Sequence, residues 1–171
     1  MRRALVVLLF VGAVALGVQA SASGAKGGSE DVLEFDTMAG VVEPFTSSTT
    51  PAHPVRGVSG GGLPWELDRA RGELDADGRL KIRVEGLVLA RRAPVPAALQ
   101  GTNPIPQFRA IVSCLTPASP DTGEQITTDP VPASPTGDAR FSTQVDLPET
   151  CVAPIIFVTS PTGAWFAATG R

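Results

Sequence analysis

The chemically most promising serine is Ser59. Gly57-Val58-Ser59-Gly60-Gly61 fits the G-x-S-x-G pattern, in which a tight strand-to-helix turn presents a serine as nucleophile. That turn needs a strand before it and a helix after it. Here Pro51 and Pro54 precede, and Gly62-Leu63-Pro64 follows. The only histidine, His53, comes before Ser59, whereas that fold places its histidine last. The expected reading is a flexible glycine turn, with His53 solvated in its loop.

Carboxylates come next. Glu73-x-Asp75-x-Asp77-Gly78 resembles the opening of a calcium loop, where alternate oxygens wrap a hard cation. Its first position is Glu, and its twelfth is Val84, which supplies no ligand. A hairpin turn is the expected reading, and no metal or cofactor is expected. Glu66 and Asp68 share one strand face, where paired carboxylates can do acid–base work or bind a cation. Salt bridges to nearby arginines are the commoner outcome. The catalytic inventory is otherwise thin. There is no Tyr, and beyond residue 22 the only lysines are Lys26 and Lys81.

Two binding candidates remain. Trp65, Leu67, Leu87 and Leu89 form an apolar cluster, which is a partner surface if uncovered and core if a second layer lies on it. Arg91 and Arg92 open a proline-rich connection with Pro94, Pro96, Pro104 and Pro106. A protease inhibitor would present such a loop, residues 89–107, on a rigid scaffold.

These groups are positioned by one hairpin. Leu74, Leu80, Ile82 and Val84 alternate with Arg79, Lys81, Arg83 and Glu85, the period of a half-buried strand. A two-residue Asp77-Gly78 loop would oppose Leu74 and Lys81, on conflicting faces. A three-residue loop with Gly78 left-handed opposes Leu74 and Leu80 instead. That register pairs Glu73 with Lys81 and Arg69 with Glu85. It also sets Arg71 against Arg83, a repulsive pair that Glu73 and Glu85 lie near enough to relieve. Extended further, it brings Leu67 to Leu87 and Trp65 to Leu89, but on the opposite face. The pair must therefore bend, or bulge at Gly86, and bury different faces at its two ends.

Further strands are expected around Leu33 and Phe35, over residues 108–115, 126–131 and 151–159, from Ala139 to Leu147, and over residues 165–169. Pro130 and Pro132 mark the 126–131 piece as an edge. Residues 46–54 read as an exposed loop and 117–124 as a turn region. Glycine and proline together make 34 of 171 residues, a density that breaks helices and favours short strands. The fold expected is an all-β antiparallel sandwich or partly open barrel of seven to nine strands.

The N-terminus reads as a signal peptide, residues 1–22. Arg2-Arg3 precedes an apolar run and a small-x-small site, with cleavage after Ala20 or Ala22. A flexible lead, residues 23–31, and a single domain, residues 32–171, follow. Cleavage leaves 12 Lys+Arg against 17 Asp+Glu, which disfavours nucleic acid and anionic membrane as partners. Cys114 and Cys151 are the only cysteines, and an exported chain is expected to join them.

Several stretches together resemble a group of small, uncharacterised secreted bacterial proteins. They are Gly60-Gly61-Gly62-Leu63-Pro64-Trp65, Asn103-Pro104 with Phe108 and Val112-Ser113-Cys114, Gly137-Asp138-Ala139, Leu147-Pro148 with Cys151-Val152-Ala153-Pro154-Ile155, and Trp165-Phe166-Ala167. The resemblance implies export and the cysteine pair, and carries no activity. The function expected is a secreted or extracytoplasmic, non-catalytic binding or structural domain. Its partner would be an extracellular protein or a small ligand. A protease inhibitor and a hydrolase using Glu66 or Asp68 are the alternatives.

Overall fold

The structure, a computed structural model, describes residues 30–49, 51 and 53–170. The expected signal peptide lies outside the described residues, as does the lead up to residue 29. Twelve strands and no helix occur among the described residues. The first six are β1 (Asp31–Phe35), β2 (Ala39–Gly40), β3 (Trp65–Glu66), β4 (Arg69–Asp75), β5 (Arg79–Glu85) and β6 (Val88–Leu89). The others are β7 (Gln107–Thr116), β8 (Ser119–Thr127), β9 (Val131–Pro132), β10 (Ala139–Gln144), β11 (Val152–Thr159) and β12 (Trp165–Ala168). β2, β3, β6 and β9 are two residues long, which leaves eight strands of the length the sequence pattern reveals.

One sheet has the order β1-β4-β5-β10, and a second has the order β2-β12-β11-β7-β8 with β9 also on β7. Every strand pair is antiparallel, and neither sheet closes into a barrel. The architecture is a sandwich. Leu74, Leu80, Ile82, Val84 and Phe141 from one sheet and Phe108, Val112, Ile156 and Val158 from the other belong to one continuous core.

The β4–β5 hairpin has the three-residue loop. Leu74 faces Leu80, Gly72 faces Ile82 and Arg69 faces Glu85. Gly78 has φ +83°, and its N–H bonds the Asp75 carbonyl at 2.9 Å. The same register resumes at Glu66–Val88 and Trp65–Leu89, where β3 and β6 form a separate pair. Between the two, the strands part. Leu87 N–H bonds the Gly137 carbonyl at 3.0 Å, in place of the expected pairing with Leu67. Gly86, at φ +69°, makes the break. Both ends are nonetheless buried, with Leu74, Leu80, Ile82 and Val84 near the turn and Trp65, Leu87 and Leu89 at the base.

Four expectations need correction. Asp31, placed in the flexible lead, begins β1, and the neighbouring Glu30 carbonyl accepts from Ala76 N–H at 2.9 Å. Residues 117–124 are not all turn. Only Pro117 and Ala118 turn, and β8 starts at Ser119, because an edge strand tolerates Pro120 without losing a ladder bond. In the loop after Phe45, Thr46 is fully buried and its hydroxyl meets that of Thr49 at 2.9 Å. The glycine segment is docked rather than free. Gly60 bridges Trp165 in parallel, and Trp165 N–H bonds the Ser59 carbonyl at 2.9 Å. A Cβ at Gly60 would overlap the Phe45 carbonyl, so glycine here permits close approach of two backbones.

Cys114 and Cys151 are joined, with Cα atoms 4.7 Å apart. The bridge ties β7 to the residue preceding β11.

Candidate functional site

The outer face of the four-stranded sheet is where charge gathers. β4 sets Arg71 opposite Arg83 on β5, and β10 sets Arg140 opposite Arg83 from the other side. Three guanidinium side chains thus form one row across three strands. Adjacent strands lie about 4.8 Å apart, so the row spans about 10 Å. Arg71 and Arg140 are exposed, and Arg83 is partly covered. Arg83 Nε donates to Glu85 Oε1 at 2.5 Å. Arg71 and Arg140 have no ion pair among the described residues.

The next row is neutralised within itself. Lys81 Nζ donates to Glu73 Oε1 at 2.7 Å, which raises the lysine's pKa first through that hydrogen bond and then through charge. Glu34, Phe35 and Asp36 close one side of a shallow groove of about 530 Å³ that contains all three row arginines.

Arg83 and Arg140 also wall a second open groove of about 760 Å³, with Asp68, Glu85 and Asp138. Asp138 is a structural acceptor there. Its carboxylate takes Thr136 Oγ1–H at 2.8 Å, Gly86 N–H at 3.0 Å and Ser134 Oγ–H at 3.1 Å. The Thr136 bond first and the Gly86 bond next hold its carboxyl below the usual aspartate range. A Cβ on Gly86 would strike the Asp68 carboxylate, so Gly86 has one acid against its Cα and another on its N–H.

The groups singled out by sequence scatter. Trp65, Leu87 and Leu89 are core side chains, at 3%, 0% and 4% exposure, and Leu67 packs against them. The surface patch they would have formed does not exist, because β12 and β7 bring Phe166 and Phe108 onto Trp65. Arg91 Nη1 bonds Glu66 Oε1 at 2.7 Å, and Arg92 reaches Glu66 Oε2 at 3.9 Å. Glu66 is therefore engaged by arginine, while Asp68 lies against Gly86. Asp75 accepts from Arg79 N–H at 2.9 Å and Arg79 Nε–H at 2.7 Å, and Asp77 takes Arg79 Nη2–H at 2.9 Å. The calcium-like carboxylates thus cap their own hairpin turn. Ser59 and His53 are both exposed, and strand rather than helix follows Ser59.

Arg140 is the residue that the sequence reading missed. Its outward direction follows from the alternation of Ala139 and Phe141, but its neighbour on the sheet depends on a pairing 57 residues away in the chain. The signal within reach was the like-charge pair Arg71–Arg83, which asks what else lies beside it.

Set against known protein families, curated proteins and solved structures, the chain matches none.

Proposed function

We propose that this chain is exported and acts outside the cytoplasm as a non-catalytic binding domain, with the outer face of the four-stranded sheet as its working surface. The observation that carries the reading is the arginine row. A sheet face open to solvent presents Arg71 and Arg140 uncommitted, on either side of Arg83. The Cys114–Cys151 bridge and the charged-then-apolar N-terminal pattern support export.

The two alternatives draw less support. An inhibitor loop needs a side chain free to enter an enzyme cleft, and Arg91 and Arg92 lean on Glu66. A hydrolase built on Glu66 and Asp68 needs both carboxylates free to act as a pair, and Arg91 holds Glu66.

Two measurements test the reading. Fractionation of the producing cells, with mass spectrometry of the N-terminus, should find a chain starting at Ser21 or Ser23 outside the cytoplasm. A pull-down from envelope and culture fractions should capture material with the native chain and lose it with Arg71→Ser/Arg140→Ser. An uncleaved cytoplasmic chain, or capture indifferent to the two arginines, overturns the reading.

A further inference from the structure

We propose that the Arg71–Arg83–Arg140 row binds an acidic polysaccharide, holding two anionic groups of the polymer about 10 Å apart. The inference rests on the reading of this face as a working surface and names its ligand class.

Like charges set directly opposite on neighbouring strands destabilise a sheet. Here two such pairs share Arg83. The chain is net negative, at −3, so the row is not the by-product of a surplus of basic side chains. Glu85 satisfies Arg83 alone, and the two outer guanidiniums stay uncompensated among the described residues. An anionic ligand relieves the repulsion that the fold leaves in place.

The shape of the face selects the class. Guanidinium groups take carboxylate and sulfate oxygens in a planar fork. The groove is shallow and open, which suits a polar chain lying across the strands rather than a small enclosed molecule. Glu34 and Asp36 line it as well, and they repel a ligand of dense charge. Duplex nucleic acid carries about one charge per 1.7 Å, far denser than two groups in 10 Å. A polymer with one carboxylate or sulfate on each repeating unit, or on alternate ones, fits both the arginines and the acids around them.

The test is titration calorimetry of the purified, disulfide-bonded chain against polygalacturonate fragments, chondroitin sulfate and neutral dextran, with polyphosphate and duplex DNA as competitors. One or both acidic polysaccharides should bind, and neutral dextran should not. Binding should weaken as salt rises. Arg71→Ser/Arg140→Ser should lose at least tenfold in affinity, with a melting temperature unchanged or raised because the repulsion has gone. Arg92→Ser should bind like the native chain. Native affinity for neutral dextran, tighter binding of polyphosphate or DNA than of either acidic polysaccharide, or undiminished binding by the double variant overturns the proposal. Silence of the native chain toward both acidic polymers, with arginine-dependent capture from envelope fractions intact, overturns the ligand class alone. Loss of that dependence overturns the binding face itself.

Discussion

The indole of Trp65 lies on the ring of Phe166, with centroids 3.9 Å apart and planes at 21°. Phe108 sets its edge to both rings, at 6.3 Å from Trp65 and 5.9 Å from Phe166. The contact fastens the base of the hairpin to the second sheet. Trp65→Ala is expected to cost ~3–5 kcal/mol and Leu87→Ala ~2–5 kcal/mol, the range for emptying a packed site. Urea unfolding gives both numbers. A loss near zero for Leu87→Ala would contradict its burial.

Two glycines with similar backbones should respond differently to alanine. Gly137 has φ +82° and Gly163 has φ +96°. A left-handed alanine costs ~1–2 kcal/mol by itself. A Cβ on Gly163 meets open space, so that cost is all it should show. A Cβ on Gly137 would overlap the Leu87 carbonyl, and the loop before β10 would have to move. Gly137→Ala should therefore lower the melting temperature well beyond Gly163→Ala. Equal melts would refute the close approach.

Thiol titration of the unfolded, unreduced chain should find no free cysteine. The bridge closes a loop of 37 residues in sequence separation, worth ~4 kcal/mol in the chain-entropy picture. Cys114→Ser/Cys151→Ser should lose up to that amount in guanidinium unfolding. Two reactive thiols in the native chain would refute the pairing.

Acid should act partly through Asp138. Its folded pKa is depressed, mainly by Thr136 and then by the Gly86 N–H. A depressed carboxylate contributes stability above the ordinary aspartate value of about 4, and that contribution disappears as pH falls through the lower folded value. Asp138→Asn removes this dependence, so its stability curve should be flatter below about pH 4 than the native one. The effect is small because the side chain is exposed and water screens it. Parallel acid limbs for the two proteins would show that the bonds to Asp138 do not persist in solution.

Binding of calcium by Glu73, Asp75 and Asp77 would have to displace Lys81 and Arg79 from them. The melting temperature should accordingly stay flat from chelator to millimolar calcium. A steep, chelator-reversible rise would show those ion pairs to be dispensable.

What the sequence reveals here is local. The register of β4 on β5 follows from where Leu74 must face, and Gly78 from the φ that its loop demands. The need for a bend or bulge at Gly86 follows from the same pairing continued. The cysteine partnership needs only a count of two. Non-local pairing is not legible in this way. Nothing in Arg140 or its neighbours says that β10 lies on β5, so the third arginine of the row is invisible until the sheet is assembled. The docking of Ser59-Gly60-Gly61 on Trp165 was hidden for the same reason, because a glycine chosen for close approach has the same letter as one chosen for freedom.

β4 and β5 are the central strands of one sheet, while their continuations β3 and β6 dock on the other through Trp65. Neither layer can therefore shed its partner without tearing the same two chain segments. Among the described residues there is no seam along which half of the sandwich could melt first. Heating should yield one heat-absorption peak, with calorimetric and van 't Hoff enthalpies equal, and no state in which the arginine face survives on a loosened sandwich. The face is lost only when the whole fold is lost.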